Sequence, residues 1–476
     1  MNIALFPLLR YRQVLPTKPL SPCPCFILMK TAIVFLDNFV PKWEFINMER
    51  HTKIRFLSTI IVIGFAIAVF YHYTMGAYLG NQHPLNSFLF TPNDKFNDFW
   101  NMVHFIKELN PYRSNVYIFG IYYPLGELFF FPFTLFKSRN LALLVFFSIF
   151  LVCWLFFIIK NFSQTNRLDN FRDIFVISFM SYPFLITIDR ANAELYTFLF
   201  LFGFAYFYNS FNHYKSLFAL ICLSLAIAMK PFPAIFLVLL ASEKKWKNIL
   251  YVIIFATLIT IFSLLCFQGS ILENIQGLRR NQAMFVKHYV IGAGGWPYGV
   301  SLFGLLKVIT RFVLKITKDI GIIPPSDLGQ TFFDWVSLLL RPYSVLSLII
   351  VGLVSLYILT KEKLFWKKLA LLVFVMNVIP PTSGDYRLLN LFIPLAFFIN
   401  ESKSSKFDLA YLILFGLLLI PKNYFIIPAM TDMGLSIGVI INPLLMLIFG
   451  FLIIKEGLSK TTRDIPKQSP DRSVRE

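Results

Sequence analysis

Residues 141–160 read LALLVFFSIFLVCWLFFIIK, and the first charged side chain in this stretch is Lys160 at its end. A run of roughly 20 apolar residues is long enough for a helix to cross the hydrocarbon core of a bilayer. Comparable runs of about 15 to 21 residues recur from Arg55 to Lys455, and in lipid only helices satisfy their own backbone. The alternation expected of a membrane barrel is absent. The sequence therefore predicts an all-α, polytopic transmembrane helical bundle.

The overall composition indicates the same class of protein. Of the 476 residues, 57% are hydrophobic and 14% are charged, whereas roughly a quarter of a soluble domain is charged. The formal net charge is +19, but the basic residues are spread over short loops, as topology signals and contacts to anionic lipids are. We therefore expect contact with membrane lipids and no nucleic-acid binding. The five cysteines show neither a disulfide framework nor zinc-ligand spacing.

Three segments of the chain differ in character. Residues 1–47 contain scattered prolines and one short apolar patch, so we interpret them as an N-terminal extension outside the folded domain, with Met48 as the natural start. Residues 48–456 form the predicted transmembrane domain. The polar residues 457–476 are predicted to be a disordered cytoplasmic tail.

Basic residues set the predicted orientation. Arg50, Lys53 and Arg55 precede the first span, 55–73, which places the N-terminus in the cytoplasm. We interpret 122–136, which is interrupted by prolines and a glutamate, as a juxtamembrane helix, because a crossing there would put most later basic clusters outside. Lys137 and Arg139 remain exceptions. Counting the first span, about 11 to 13 spans are expected, the others near 141–160, 173–188, 195–210, 216–230, 231–242, 248–267, 343–360, 366–380, 387–399, 407–421 and 434–454.

A second large extracytoplasmic region is predicted between residues 268 and 342. Within it, residues 301–315 read SLFGLLKVITRFVLK and place Lys307, Arg311 and Lys315 at spacings of four on an otherwise apolar helix. A helix with one basic stripe lies at the membrane interface rather than across it.

Candidate functional residues are concentrated after the first span. Residues 94–132 read DKFNDFWNMVHFIKELNPYRSNVYIFGIYYPLGELFFFP, with Asp98 at the centre of the charged part. On the predicted map, the charges that interrupt apolar runs fall on the extracytoplasmic side. A charge at the bilayer centre costs about 2.5 to 3.5 kcal/mol on insertion scales, so such residues usually face a polar cavity. We therefore expect a polar site on that face.

An ordered set of motifs resembles glycosyltransferase family 87, whose members have the GT-C fold and are related to polyprenyl-phosphate-mannose-dependent α-1,2-mannosyltransferases. The motifs are Asp98-Phe99, Pro111-Tyr112, Tyr123-Pro124, the polar turn from Asp189 to Glu194, and Lys230-Pro231 followed by Pro233. The resemblance covers about 55–394. It departs from the family pattern at Leu125, where a second proline is common, and at Asp189-Arg190, where a Gly-Gln pair is common.

The resemblance implies a role for Asp98 as the general base that takes the acceptor hydroxyl proton, which a carboxylate within hydrogen-bond reach can do. Helix capping or a surface ion pair is the alternative. The leaving phosphate needs cations, for which the candidates are Lys230, Arg190, Lys287, His288 and Arg387. Lys230 can also be an ordinary snorkelling lysine.

The other candidates have weaker signals. Asp189, Asn192 and Glu194 can orient sugar hydroxyls or neutralise Arg190. His288 can assist proton transfer because its ordinary pKa is near neutrality, or it is incidental. Residues 292–299, GAGGWPYG, suit a loop over the substrate in which Trp296 and Tyr298 stack on a sugar, or a plain turn. Tyr123 opens the juxtamembrane helix at the site, and Glu127 is expected to pair with Arg113.

No compact acidic motif suits a metal ion, so we expect a metal-independent reaction with no cofactor besides the donor. The resemblance implies a multi-pass enzyme of the inner or plasma membrane. It would transfer a hexose, with mannose as the first candidate, from a polyprenyl-phosphate donor to a glycolipid or lipid-linked glycan, with inversion. The rival function is a lipid-linked-sugar flippase or transporter, which predicts charges on both faces and often a duplicated pattern. A third is a membrane scaffold.

Overall fold

The computed structural model describes residues 48–77, 95–113, 120–163, 167–292, 299–322, 328–402, 405–426 and 435–463. They belong to one compact unit, residues 48–476. The predicted extension, residues 1–47, lies outside the described residues. At the other end, the last helix continues to Arg463, past the boundary at 456 that the sequence suggested.

The described chain is almost entirely helical, which confirms the predicted all-α class. The helices of the first half are α1 (Arg50–Ala77), α2 (Asn97–Ile106), α3 (Pro124–Leu128), α4 (Arg139–Phe162), α5 (Arg167–Phe179), α6 (Tyr182–Arg190), α7 (Glu194–Phe207), α8 (His213–Met229), α9 (Leu237–Ser242) and α10 (Trp246–Leu265). Short 3₁₀ helices cover Phe131–Leu135 and Phe232–Phe236.

The second half continues with α11 (Ile271–Phe285), a π-helical turn at Val286–Ile291, α12 (Leu302–Asp319), α13 (Leu328–Thr360), α14 (Phe365–Val378), a 3₁₀ helix at Asp385–Leu391, α15 (Phe392–Ile399), α16 (Asp408–Leu419) and α17 (Gly438–Arg463). Two short strands, Phe425–Ile426 and Leu435–Ser436, pair antiparallel.

In the part of the chain that the structure describes, five helices are long and apolar enough to cross a membrane: Arg50–Thr74, Arg139–Phe162, Trp246–Leu265, Gly329–Thr360 and Gly438–Ser459. A sixth span is formed if α5 and α6, which meet at a 53° bend, are counted together. Among the described residues, four shorter apolar helices, Glu194–Phe207, His213–Met229, Phe232–Ser242 and Asp408–Leu419, coincide with other predicted crossings, and a fifth, Pro124–Leu135, coincides with the predicted juxtamembrane helix. The protein is therefore a multi-pass membrane protein, and the count of 11 to 13 spans stays a prediction.

Two predicted boundaries are wrong. The segment expected to cross at 231–242 is a 3₁₀ turn followed by the six-residue α9, which is too short to span a core of about 30 Å at 1.5 Å per residue. The span expected at 343–360 belongs to α13, which begins at Leu328 and contains Pro342. An interior proline need not end a helix, because the missing hydrogen bond can be tolerated as a local kink.

Aromatic packing around α4 holds together the elements that carry the site. Trp154 of α4 is fully buried, and its ring lies 5.2 Å from Phe184 of α6, 5.4 Å from Phe198 of α7 and 5.0 Å from Phe392 of α15. Aromatic pairs of this kind add about 0.5 to 1.5 kcal/mol each to the burial of their area. The rings therefore fix α6 and α7 against the bundle.

Candidate active site

Asp98 lies in the first turn of α2, where the helix dipole favours a negative charge. Phe96, the N-cap residue of α2, has a left-handed backbone with φ of 55°, and its amide donates a 2.7 Å hydrogen bond to the carbonyl of Asp189. The next residue, Phe99, is buried among the rings of Phe130, Phe133 and Phe146. These contacts hold the start of α2 against the end of α6.

Three polar side chains of the site lie at the break between α6 and α7. Arg190 ends α6, and Ala191 caps that helix in the left-handed conformation with φ of 48°. Such a conformation costs a residue with a Cβ atom about 1 to 2 kcal/mol, and strained backbone of this kind often occurs at functional sites. The turn brings Arg190, Asn192 and Glu194 to one side of the short break.

Asp98 is held by two of these residues. Nη2 of Arg190 donates to one carboxylate oxygen of Asp98, and Nδ2 of Asn192 donates to the other at 2.7 Å. The side chains of Asp98 and Arg190 are 17% and 14% exposed. The ion pair is therefore within reach of solvent or a substrate.

Lys230 lies deeper in the same network. It follows the last residue of α8, and its ammonium group donates to Glu194 at 2.6 Å and to Oδ1 of Asn192 at 3.1 Å. The rings of Tyr122 and Tyr386 lie 5.3 and 5.5 Å from the same nitrogen, within the range of a cation–π contact. Lys230 is only 6% exposed, so its charge is compensated inside the protein.

Tyr122 is fixed through both of its backbone groups. Its amide donates to Oε1 of Glu127 at 3.0 Å, and its carbonyl accepts from the hydroxyl of Tyr112 at 2.9 Å. Its own hydroxyl accepts from Asn192 at 3.0 Å. Burial raises the pKa of Glu127 well above its ordinary value. Glu127 therefore acts as a backbone partner of Tyr122, and the expected pairing with Arg113 is wrong.

A glycine lets α3 approach the end of α8. A Cβ atom on Gly126 would lie 2.8 Å from the carbonyl oxygen of Met229, which is closer than real Cβ contacts. Any larger residue would push the two elements apart. The close approach places Tyr122, just before α3, beside Lys230, just after α8.

The 3₁₀ helix at Asp385–Leu391 completes the network. Nδ2 of Asn390 donates to Glu194 at 2.7 Å and to the carbonyl of Arg387 at 3.1 Å. The guanidinium group of Arg387 lies 4.2 Å from the ring of Phe232, and it reaches the carbonyl of Met376 at 3.5 Å. The network therefore contains three cations and two carboxylates, and Arg387 is the cation that no carboxylate in this group directly pairs with.

Two hydrogen bonds tie this 3₁₀ helix to α6. The hydroxyl of Tyr182 donates to Asp385 at 2.9 Å, and the hydroxyl of Thr187 donates to the carbonyl of Tyr386 at 3.2 Å. Burial raises the pKa of Asp385 from 3.8 to about 6. Burial also lowers the pKa of Lys422, whose charge acts on Asp385, to about 7. The position of Tyr386 beside Lys230 thus depends on contacts at both ends of α6.

Comparison with known proteins identifies the type of protein to which this network belongs. The sequence model of glycosyltransferase family 87 matches residues 121–381, which is more than half of the chain. The chain belongs to glycosyltransferase family 87. Its activity is therefore glycosyl transfer, in a multi-pass membrane protein. No curated protein and no solved structure matches the chain significantly.

The family 87 match includes the central part of the network but not all of it. Arg190, Asn192, Glu194 and Lys230 lie within the matched residues, whereas Asp98 precedes them and the 3₁₀ helix with Asn390 follows them. Asp98 is connected to the family region by its contacts to Arg190 and Asn192. The tertiary structure, and not the family match, brings these segments together.

Six of the residues predicted for a family 87 site meet in the structure: Asp98, Arg190, Asn192, Glu194, Lys230 and Arg387. Asp189 is buried beside them, and its carbonyl anchors Phe96. The alternative that Lys230 is an ordinary snorkelling lysine is wrong, because its ammonium group is buried against Glu194 and Asn192. Arg190 is paired with Asp98.

The other predicted residues lie elsewhere. Lys287 and His288 are exposed on the π-helical turn, and within the described part of the chain no hydrogen bond or ion pair of theirs reaches the network. Tyr123 caps α3, and its carbonyl accepts from the amide of Glu127. Trp296 and Tyr298 lie outside the described residues.

Sequence reasoning missed three members of the network, Tyr122, Tyr386 and Asn390. Tyr122 and Tyr123 are adjacent in a Tyr-Tyr-Pro sequence, so the motif alone did not indicate which ring faces Lys230. Tyr386 is adjacent to Arg387, which the sequence indicated as a candidate cation. Asn390 carries no charge and gave no signal in the sequence.

Proposed function

We propose that this family 87 protein transfers a hexose, with mannose as the first candidate, from a polyprenyl-phosphate donor to a glycolipid or lipid-linked glycan. The observation that carries the proposal is the partly exposed Asp98 at the end of a polar network in a membrane glycosyltransferase. The reaction would take place on the extracytoplasmic face of the inner or plasma membrane. The distribution of basic residues, which favours cytoplasmic loops, supports this side.

In the proposed reaction Asp98 is the general base. The acceptor hydroxyl oxygen attacks the anomeric carbon, its proton passes to Asp98, and the bond from that carbon to the phosphate oxygen breaks. Attack opposite the leaving group inverts the anomeric centre. Arg190 and Asn192 each occupy one acceptor position of the carboxylate, which leaves further lone pairs for the hydroxyl. A base in this position typically contributes about 10²- to 10⁴-fold in rate.

The leaving polyprenyl phosphate develops negative charge, which fixed cations can stabilise. Arg387 is better suited to this role than Lys230 because no carboxylate of the network pairs with it directly. Arg190 is better suited because its ion pair is more exposed than the pair of Lys230 and Glu194. Guanidinium groups can also bind a phosphate with two parallel hydrogen bonds. Side-chain cations thus supply the positive charge in the proposed mechanism, which requires no metal ion or other cofactor.

Lys230 and Glu194 are proposed to act as positioning residues. Their ion pair holds Asn192, and Asn192 in turn holds Asp98. A displacement of about 1 Å can reduce a rate about 10²-fold. Loss of the pair would therefore reduce transfer even though neither residue contacts the reacting atoms.

The test uses the purified full chain in lipid with radiolabelled polyprenyl-phosphate mannose and a membrane lipid extract. We expect transfer by the wild type and a loss of at least about 10²-fold for Asp98→Asn. Asp334→Asn is the matched control, because Asp334 is exposed on α13 and its side chain accepts from Gln330. Equal product from wild type and Asp98→Asn would remove Asp98 from the mechanism.

A second variant separates the base from its ion pair. Arg190→Gln removes the same pair but keeps the carboxylate, so it is expected to lose less activity than Asp98→Asn. Equal losses in two well-folded variants would assign the effect to the ion pair. Movement of a labelled lipid-linked sugar across the bilayer without transfer would instead support the flippase.

A further inference from the structure

Helix α12 and the first part of α13 form an antiparallel pair. The ring of Phe303, near the start of α12, lies 4.8 Å from the ring of Tyr343. Further along α12, the guanidinium group of Arg311 lies 5.6 Å from the ring of Phe332. Residue numbers therefore increase along α12 in the direction in which they decrease along α13. The pair encloses its own small core, which is separate from the main core of the bundle.

This helical pair stands at the end of the bundle that carries the site. The hydroxyl of Tyr343 donates to the carbonyl of Ile379 at 2.6 Å, where α14 has just ended, whereas Tyr357 contacts Glu362, just before α14 begins. Residues 328–342 therefore continue past the end of α14. The amide of Val300 also donates to Ser383 at 2.9 Å, close to the 3₁₀ helix with Tyr386 and Arg387.

The surface of α12 divides into three rows. The inner row packs on α13 and includes Lys307, which is 5% exposed and donates to the carbonyls of Tyr289 and Gly292. The prediction that Lys307 belongs to a basic stripe at the interface is therefore wrong. The outer row is apolar and about half exposed, and it consists of Ile309, Phe312, Val313, Ile316 and Ile320. A third, basic row of Arg311, Lys315 and Lys318 lies roughly 150° around the helix from the apolar row.

The apolar row is continuous with a surface that must face lipid. On the first part of α13 the side chains of Phe333, Trp335 and Leu338 are exposed, and Val345 and Leu346 continue this exposure into the candidate span Gly329–Thr360. Soluble proteins rarely expose an apolar surface of this extent to water. A crossing by α12 itself is disfavoured, because its 18 residues include five charges.

We propose that α12 is a membrane-surface anchor on the side of the active site. Its row from Ile309 to Ile320 enters the boundary of the acyl chains, and Lys315 and Lys318 bind the phosphates of anionic phospholipids. An apolar face combined with basic residues on the polar face is the pattern of helices that lie in the interface plane. The charge of the row selects an anionic lipid surface over a second copy of this chain, whose matching helix would present the same positive charge.

The anchor would fix the entrance of the site relative to the bilayer. Lys307 ties α12 to the π-helical turn, and the contacts of Val300 and Tyr343 tie the base of the pair to residues 379–383. These hydrogen bonds are 2.6 to 3.2 Å long. Binding of lipid along α12 is therefore transmitted to the segment that precedes Tyr386 and Arg387. This inference does not depend on which sugar or acceptor the enzyme uses.

The test measures the depth of individual side chains in the bilayer. Phe312→Cys and Ile316→Cys are introduced into a full chain whose five native cysteines are replaced by alanine, and each is spin-labelled. The protein is reconstituted in phosphatidylcholine vesicles with and without phosphatidylglycerol. Collisions with oxygen, which is enriched in lipid, are compared with collisions with a water-soluble nickel chelate. Asp319→Cys, on the same helix but outside the apolar row, is the matched control.

We expect the labels at 312 and 316 to favour oxygen, the label at 319 to favour nickel, and phosphatidylglycerol to move 312 and 316 deeper. The substitutions Lys315→Gln and Lys318→Gln should each weaken the affinity for phosphatidylglycerol about fivefold. The shift in depth that phosphatidylglycerol causes should therefore become smaller. The exposed Lys244 and Lys247, changed to glutamine, should leave it unchanged.

Three outcomes would overturn the proposal. Nickel access at 312 and 316 equal to that at 319 would show that water, and not lipid, covers the apolar row. Dipolar coupling between labels on two molecules would assign the face to a second copy. An undiminished response to phosphatidylglycerol after both lysine substitutions would remove the anionic lipid from the inference.

Discussion

The ammonium group of Lys230 lies 2.6 Å from a carboxylate oxygen of Glu194, and both side chains are almost fully buried. A cation paired in this way has little charge left for a substrate. Its value to the site is positional, since the pair holds Asn192, which holds Asp98. The position of Asp98, the proposed base of this family 87 protein, therefore depends on an ion pair that the substrate need not touch.

Breaking this pair is expected to be costly. Lys230→Met or Glu194→Gln alone leaves an uncompensated buried charge, which costs about 3 to 5 kcal/mol, whereas the double variant should cost clearly less than the sum. Thermal unfolding of the four proteins measures the coupling. The pair Lys367 and Glu456, buried at 2.6 Å elsewhere, is the control and should show the same coupling. Only the Lys230 pair should also reduce transfer by protein that remains folded.

Asn192 is the link between the two charge pairs. Asn192→Leu keeps a similar volume but removes the donor to Asp98 and the acceptor for Lys230. We expect a loss of about 10²-fold in kcat with donor KM changed much less. The control is Asn400→Leu. The side-chain amide of Asn400 donates to the carbonyls of Ala396 and Asn161, away from the site, so this variant should keep wild-type kcat. Unchanged kcat in folded Asn192→Leu would contradict a positioning role.

Arg387 is predicted to contribute to donor binding. A hydrogen bond to a charged group is worth about 1.5 to 3 kcal/mol, so Arg387→Gln should raise the donor KM by roughly 10- to 150-fold. The change in kcat should be smaller. Arg139→Gln, at an exposed residue at the start of α4, is the control for loss of one positive charge. A donor KM equal to that of wild type would exclude Arg387 as a phosphate ligand.

Asp385 gives a testable dependence of stability on pH. Its pKa in the folded protein is about 6, above the ordinary 3.8, so the folded state binds an additional proton between these values. The contribution of Asp385 to the free energy of unfolding should therefore fall as pH rises from about 4 to 6. Asp385→Asn removes the titration and keeps an acceptor for the hydroxyl of Tyr182. Its curve should be flatter, and its stability at pH 7 should be higher.

The same pH series has a built-in check. Lys422, which acts on Asp385, has a pKa of about 7 and so stays largely protonated through the range in which Asp385 titrates. The difference between wild type and Asp385→Asn therefore isolates the carboxyl group. Identical pH profiles for the two proteins would show that Asp385 does not titrate in this window.

The amino-acid sequence by itself determined the class of this protein. A span such as 141–160 was found almost where α4 lies, Arg139–Phe162, because hydropathy is a sum over neighbouring residues and a bilayer demands a fixed length. The scarcity of charge also directed attention to Asp98, Arg190 and Lys230, since a charge in an apolar bundle is costly unless it is paired or used. The family 87 region was also recognised from the sequence alone, because its motifs are short and local in the chain.

Only the tertiary structure decided how these residues pair. Glu194 meets Asn390 across 196 positions of sequence, and Asp98 meets Arg190 across 92, and no local pattern encodes such contacts. The same holds for the choice of Tyr122 over Tyr123 and for the burial of Lys307, because the direction of a side chain depends on the element packed against it. Hydropathy is additive along the chain, whereas hydrogen bonds and ion pairs depend on distances and angles between segments, which exist only after folding.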